Sequence, residues 1–124
     1  MTPDTIYLQR LEPYDRFTLP IQRQIIDWLA FAPGRRVLDA GCGPGSFVLL
    51  MAEVGCQVQA VDADQGEVEK ARQLLASTAY AAQATFQQAD LHTLPFEDGT
   101  FDMVWCSRVI HHVPDYIKAA RELR

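Results

Sequence analysis

The sequence predicts an α/β domain built on an open, doubly wound parallel sheet. Strand-like apolar segments alternate with amphipathic helical segments along the 124 residues. A glycine loop joins the first predicted strand to the following helix, as in sheets of this class. Residues 103–106 (Met-Val-Trp-Cys) form a continuous apolar run, which is typical of a parallel strand covered on both faces. Without internal repeats or low-complexity tracts, residues 1–124 are interpreted as one domain.

The first half of the chain predicts an arm, a helix, a strand and a second helix. Residues 1–18 lack clean periodicity and are interpreted as an irregular or short helical arm. A helix begins at Pro20 and ends at Pro33-Gly34. A strand over 36–40 and a helix over 46–54 follow. The apolar positions of the first helix, predicted to be core, are Ile21, Ile25, Trp28 and Leu29.

The second half predicts three more strands and two more helices. Residues 57–62 alternate polar and apolar side chains, which favours a strand, and Asp64 with Glu67 resembles a capping box that opens a helix. Strands are predicted over 85–89 and 101–106, with Trp105 in the core, and a final helix after Pro114. The positions expected to face inward on these two helices are Val68, Ala71, Leu74, Leu75, Ile117, Ala120 and Leu123.

The glycine loop Gly41-x-Gly43-x-Gly45 favours a nucleotide-type ligand. Glycines permit positive φ and close approach of a ligand to the backbone, and a following helix start directs N–H groups and a positive dipole end at it. Asp62 follows the first glycine by 62 − 41 = 21 residues, where a carboxylate accepts hydrogen bonds from ribose hydroxyls. The third glycine comes one residue earlier than in G-x-G-x-x-G. The spacing leaves NAD and other adenosine ligands open.

Composition and charge exclude several classes of protein. The net charge of −5, without a basic stripe, argues against nucleic acid as a partner. No apolar run reaches the ~20 residues of a membrane span, and the first residues do not resemble a signal peptide. Cys42, Cys56 and Cys106 are odd in number and lack C-x-x-C spacing, so we predict no disulfide framework, no metal site and a cytoplasmic protein. At a helix start, Cys42 is either a thiol of lowered pKa or a small filler.

Four downstream segments complete a joint pattern: 86–91 (Phe-Gln-Gln-Ala-Asp-Leu), 94–96 (Leu-Pro-Phe), 101–104 (Phe-Asp-Met-Val) and 109–113 (Val-Ile-His-His-Val). From about Leu19 to its end, the chain resembles the class I S-adenosylmethionine (SAM)-dependent methyltransferases of the small-molecule type, a group that includes ubiquinone/menaquinone C-methyltransferases. The resemblance implies a three-layer, Rossmann-like sheet of seven strands. This chain carries the first four strands and the helix after the fourth, and is interpreted as truncated there.

The resemblance also implies which residues contact the cofactor. For the methionine part these are Asp39, the backbone of Gly41, Cys42 and Gly43, and a carbonyl in Cys106-Ser107. For the adenosine part they are Asp62 at the ribose, Ala63 against the adenine, Asp90 at the adenine amino group, and the Leu91 N–H at a ring nitrogen. A site lined by carboxylates suits a cofactor that carries a sulfonium and an ammonium.

Structural alternatives accompany these roles. Asp62 is alternatively a strand terminator, Asp90 a turn residue, and Asp39 a side chain that ties down the glycine loop. His111 and His112 are adjacent and point apart, so they do not form a metal pair. They either edge a substrate pocket or cap the last helix.

The implied activity is transfer of the SAM methyl group to a small-molecule acceptor, with no general base assigned. Because the chain carries the cofactor half, we expect little methyl transfer from residues 1–124 alone. The alternatives are a SAM-binding module without transferase activity and, less favoured by the glycine spacing, an NAD-dependent oxidoreductase. The fourth strand has a free edge with only Asp102 as a charge near its start, which predicts a homo-oligomer or a partner chain at that edge.

Overall fold

Four parallel strands and three helices make up the part of the chain that the structure describes. The computed structural model describes residue 11 and residues 13–29, 31–90, 92–97 and 99–106. The elements are helix α1 (Pro13–Leu29), strand β1 (Arg36–Ala40), helix α2 (Ser46–Glu53), strand β2 (Gln57–Asp62), helix α3 (Gln65–Ala76), a 3-10 turn (Ala81–Gln83), strand β3 (Ala84–Gln88) and strand β4 (Met103–Trp105). None of these helices is both long and apolar enough to cross a bilayer.

The strands form one sheet in the order β3-β2-β1-β4, with every pair parallel. This confirms the predicted open parallel sheet of an α/β domain. The three described helices share one core with one face of the sheet, and the loop between β3 and β4 covers part of the other face. The final helix predicted after Pro114 lies outside the described residues.

Helix α2 is the centre of the helical layer. All seven residues from Ser46 to Ala52 are buried, because the helix is enclosed by the sheet, α1 and α3. At one end of α2, the Phe47 ring packs on Trp105 with centroids 4.9 Å apart, and Phe31 meets the same indole edge-on at 6.0 Å. Trp105 therefore packs against the core, as predicted.

Helix α1 begins at Pro13, seven residues earlier than predicted. Proline suits the first position of a helix, where its missing N–H is not needed. Pro20 lies inside the helix and removes a backbone hydrogen bond. Side chains on either side of it bridge this point, because Gln22 Nε2 donates to Asp15 Oδ1 at 3.1 Å and to Thr18 Oγ1 at 2.9 Å.

The orientation of α1 contradicts the predicted core position of Trp28. Its indole is 83% exposed, and Phe17 and Ile21 on the same face are 85% and 58% exposed. The buried face of α1 instead consists of Asp15, Leu19, Gln22 and Ile26. Hydrophobic periodicity misassigned the faces because a hydrogen-bonded polar pair, Asp15 and Gln22, occupies half of the inner one.

The last two strands differ from their predicted limits. β3 begins and ends one residue earlier, and β4 has three residues rather than six. Asp102 precedes β4 and still binds the start of β1, since its N–H donates to the Arg36 carbonyl at 2.8 Å and its carboxylate accepts from the Arg36 N–H at 2.9 Å. Val104 is 37% exposed to solvent, so within the described residues β4 is not covered on both faces.

The third glycine of the loop is required by packing. Gly45 has φ +98°, and an ideal Cβ there would lie 2.9 Å from both Cα and Cβ of Ala71 on α3. At Gly43 a Cβ would meet only Glu67 Oε2, at 3.7 Å. Gly45 therefore lets the loop approach the α3 backbone, which accounts for its position independently of any ligand.

Gly45→Ala should destabilise the fold far more than Gly34→Ala. Both glycines have positive φ, but Gly34 (φ +82°) has nothing within 4 Å of its Cβ position. We expect Gly34→Ala to cost about 1–2 kcal/mol from backbone strain alone. Gly45→Ala should cost roughly 1–3 kcal/mol more, because the methyl group collides with backbone that cannot move cheaply. Urea unfolding measures both, and equal losses would contradict the packing role.

Candidate functional site

The predicted site residues lie at one edge of the sheet, where the parallel strands end. Asp39 is the penultimate residue of β1 and Asp62 the last of β2. Asp90 and Cys106 follow β3 and β4 closely. Because the strands run in the same direction in the order β3-β2-β1-β4, these four positions meet at the edge where ligands bind in open α/β sheets.

The glycine loop is fixed by hydrogen bonds to the end of β2. The Val61 carbonyl accepts from the N–H groups of both Gly41 (2.8 Å) and Cys42 (2.9 Å). The next N–H, of Gly43, donates to Asp62 Oδ2 at 2.9 Å. These three N–H groups are therefore bonded within the protein, and the expectation that the loop directs free N–H groups at a ligand is wrong for them.

Asp62 holds the loop and keeps acceptor capacity. Its Oδ2 accepts from the Gly43 N–H, and its Oδ1 accepts from the Asp64 N–H at 2.9 Å. A carboxylate oxygen accepts more than one hydrogen bond, and Asp62 is only half-buried. The structural and the ribose-binding interpretations of this residue are thus compatible.

Glu67 is a further carboxylate beside the glycine loop, which the sequence analysis did not include among the candidate site residues. The Asp64 carboxylate caps α3 by accepting from Gly66 N (2.8 Å) and Glu67 N (3.4 Å), as in a capping box. The reciprocal bond is not made, because the Asp64 N–H donates to Asp62. The Glu67 side chain instead lies beside the loop at Gly43, with its Oε1 3.3 Å from Lys70 Nζ. In the sequence, the spacing of Glu67 from Asp64 indicates only a capping box.

The thiol of Cys42 is buried at the loop near three carboxylates. Burial raises the pKa of this thiol far above its usual range, and the charges of Asp39, Asp62 and Glu67 raise the pKa further. With only 5% of Cys42 exposed, the interpretation as a reactive thiol of lowered pKa is wrong. Its neutral side chain fills the loop, and the three carboxylates around it favour a cation.

Asp39 lies beneath the loop. It is 1% exposed and is in register with Trp105 of β4 on the helix-covered face of the sheet. The charge of the Asp39 carboxylate raises the pKa of the Cys42 thiol, so the two groups lie close together. The burial of Asp39 supports a role in fixing the glycine loop.

Asp90 lies beside Asp62 in an exposed turn. The Ala89 N–H donates to the Asp62 carbonyl at 3.0 Å, which brings the end of β3 to the end of β2. The Asp90 side chain is 66% exposed, and its Oδ1 accepts from the His92 N–H at 2.8 Å and contacts His92 Nδ1 at 2.7 Å. Asp90 thus forms the predicted turn while its carboxylate stays accessible at the rim.

The remaining predicted contacts lie at the same edge or outside the described residues. Ala63 is exposed, and its carbonyl accepts from Gln88 Nε2 at 2.9 Å, next to the turn at Asp90. Cys106 is half-buried where β4 ends. Leu91 and Ser107 are not among the residues that the structure describes.

Comparison with known proteins identifies relatives of this chain. A family described as a methyltransferase domain matches residues 38–124. The chain is 35% identical, over 82% of its length, to 42% of a ubiquinone biosynthesis O-methyltransferase of Xanthomonas campestris. Its structure is similar to the crystal structure of the magnesium protoporphyrin IX methyltransferase of Synechocystis with bound S-adenosylhomocysteine (SAH). The match covers 89% of this chain and 50% of that chain, with a TM-score of 0.70 and 27% identity. The chain also covers 39% of the [4+2]-cyclase SpnF, using 81% of its own residues (TM-score 0.74, 26% identity).

The matched region includes the glycine loop, the end of β2 and the turn after β3. The chain spans between 26% and 45% of the length of its curated relatives. The family match covers more than two thirds of the chain and begins within β1, directly before the loop. The chain belongs to the methyltransferase domain family.

Proposed function

We propose that this chain binds SAM and forms the cofactor-binding half of a protein that methylates a small molecule. The observation that carries the proposal is the placement of three carboxylates at the glycine loop: Asp39 is buried near the end of β1, Asp62 Oδ2 accepts from the Gly43 N–H at 2.9 Å, and Glu67 lies beside Gly43. When bound, SAM would supply its methyl group to a nucleophile on the acceptor: the new bond forms at the methyl carbon, the methyl–sulfur bond breaks, and SAH leaves as a neutral thioether. The relatives named as methyltransferases support the same reaction.

The loop suits a cation better than a pyrophosphate. Dinucleotide-binding loops offer backbone N–H groups to phosphate oxygens. Here the N–H groups of Gly41, Cys42 and Gly43 are donated to β2. The three carboxylates at the loop outnumber the nearby ammonium group of Lys70, which pairs with Glu67. An ammonium or sulfonium gains from such acceptors, whereas a pyrophosphate is repelled by them. This disfavours the NAD-dependent oxidoreductase.

Each described site residue has a proposed task toward SAM. Asp62 accepts hydrogen bonds from the ribose hydroxyls while it holds Gly43 in place. Asp90, exposed beside it, accepts from the adenine amino group. Ala63 flanks the adenine, and Asp39 attracts the methionyl ammonium from beneath the loop. The proposed methionine contacts of the loop are made by its carbonyl and Cα surface, because three consecutive N–H groups are already donated.

The protein's contribution to the transfer is alignment and exclusion of water. The sulfonium is already a good leaving group, so no residue needs to protonate it. Asp62 would hold the cofactor at its ribose, and Asp39 would attract its positive charge. We assign no general base and propose only the class of acceptor, a small molecule.

A second candidate function is binding of SAM without methyl transfer. A structural relative of this chain is a [4+2]-cyclase, and a shared fold does not fix the reaction. Formation of SAH from SAM in the presence of small-molecule acceptors separates the two candidates, because the binding module releases none.

We further propose a cytoplasmic protein whose copies or partners associate at the free edge of β4. Cys42 and Cys56 are buried free thiols, which supports a reducing compartment. β4 is the outer strand of the described sheet next to β1, and its Val104 is 37% exposed. An unprotected outer strand is prone to pairing.

Calorimetric titration with SAH and with NAD tests the proposed ligand. We expect heat of binding with SAH and none with NAD, since only SAH combines adenosine with an ammonium. Binding of NAD without binding of SAH would overturn the proposal in favour of the oxidoreductase.

Asp62→Ala should weaken SAH binding by about 1.5–3 kcal/mol, or roughly ten- to hundredfold, because a charged hydrogen-bond acceptor is lost. The matched control is Asp64→Ala, which removes the α3 cap and costs roughly 1 kcal/mol of stability but leaves the Asp62 carboxylate in place. Titration of both folded variants makes the comparison. If Asp62→Ala and Asp64→Ala bind SAH with equal affinity, Asp62 does not contact the ligand.

Glu67→Gln should lower affinity for SAM more than for SAH. Both ligands carry an ammonium, but only SAM adds the positive sulfonium, so loss of one nearby carboxylate costs SAM a further ~0.5–1 kcal/mol. Glu69→Gln is the control, because Glu69 lies on the same helix and pairs with Arg72 on its exposed surface. Competition binding at low ionic strength measures both ratios. If both variants change the SAM/SAH ratio equally, Glu67 has no part in the site.

A further inference from the structure

Helix α1 carries an apolar stripe on its solvent side. Phe17 is 85% exposed, Ile21 58% and Trp28 83%. Their spacing of four and seven residues places them on one face of the helix, with exposed Gln24 between Ile21 and Trp28. This face is opposite to the one that buries Leu19 and Ile26, so it points away from the core.

The stripe has the character of an interaction surface. Isolated exposed apolar side chains are normal, but a contiguous group of large ones marks a binding face. From residue 17 to residue 28 the stripe extends for roughly 17 Å along the helix. Trp and Phe are also among the side chains enriched in the centres of protein interfaces.

The stripe is complementary to itself when reversed. Phe17 and Trp28 lie at its two ends, and Ile21 and Gln24 lie symmetrically between them, since 17 + 28 = 21 + 24 = 45. In an antiparallel pair related by a two-fold axis, Phe17 faces Trp28 of the second copy, and Ile21 faces Gln24. Both ends then bring two aromatic rings together, a favourable contact.

The charges beside the stripe favour the same antiparallel arrangement. Exposed Arg16 and Asp27 lie on the same flank, one near each end of the stripe. Reversal of the second helix brings Arg16 of each copy to Asp27 of the other. The Arg16 guanidinium also donates to the Leu11 carbonyl at 3.3 Å, which holds it at this end of α1.

We propose that the exposed stripe of α1 (Phe17, Ile21, Gln24 and Trp28) is a homodimer interface in which the helices of two copies pair antiparallel. The inference is independent of the proposed reaction. An interface of this length buries on the order of 1,000 Å² in total, at the small end for specific complexes, so the dimer is reversible.

Sedimentation velocity of the 124-residue chain, from micromolar to submillimolar concentration, tests the interface. We expect a monomer–dimer equilibrium through α1, which should persist when the separately proposed pairing at β4 is blocked. Trp28→Ala should weaken it roughly tenfold or more, because the symmetric dimer then loses an aromatic pair at each end. Because Trp28 is 83% exposed in the monomer, its removal leaves the fold intact, and circular dichroism checks this. A wild-type chain that is monomeric throughout the range overturns the proposal.

Charge reversal tests the orientation, and a strand variant tests the competing surface. Arg16→Asp and Asp27→Arg should each weaken the dimer severalfold, and the double variant should recover most of the loss. Val104→Lys places a charge on β4 and should leave association through α1 unchanged. If Val104→Lys dissociates the dimer while Trp28→Ala does not, the copies meet at β4 and the α1 interface is wrong.

Discussion

The end of β2 holds the glycine loop, and the rest of the site depends on this attachment. Three consecutive N–H groups, from Gly41 to Gly43, donate to the Val61 carbonyl and the Asp62 carboxylate. The bonds fix the loop without a ligand, so binding need not order it. They also occupy three of the donors that could otherwise meet a phosphate. The carboxylates of Asp62 and Glu67 lie beside the same loop, and the preference for a cation follows.

The glycines and the cysteine of the loop have different roles: some are needed for packing, and others line the candidate site. Gly45 is needed because α3 passes too close for a Cβ, whereas at Gly43 a Cβ would meet only the flexible end of Glu67. Cys42 is buried as a neutral thiol that donates to the Gly43 carbonyl at 3.4 Å, since burial and three carboxylates raise the pKa of its thiol.

The sheet and the approximate site could be predicted from the sequence because both follow from local patterns. Apolar runs locate β1 and β2, and parallel strands bring their carboxyl ends to one edge wherever the exact limits fall. Glu67 was missed because a capping box would bond its side chain to the Asp64 N–H. That N–H donates to Asp62 instead, and the Glu67 side chain lies beside the glycine loop. Trp28 was misplaced because the inner face of α1 contains two polar side chains, Asp15 and Gln22, which are hydrogen-bonded to each other within the helix. Hydrophobic periodicity does not show which polar side chains are paired in this way.

The orientation of α1 is energetically unfavourable in a single chain, because it exposes three large apolar side chains to water. Rotation of the helix would bury Phe17, Ile21 and Trp28, each worth about 1.5–3 kcal/mol or more. The observed orientation instead buries Leu19 and Ile26 with a polar pair, and adds a partly exposed Arg23–Glu53 ion pair that contributes little. The hydrogen-bonded pair Asp15 and Gln22 does not offset this loss of apolar burial, because rotation would return both side chains to water, where they hydrogen-bond again. The outward orientation is therefore most favourable when another chain buries the apolar surface of the stripe.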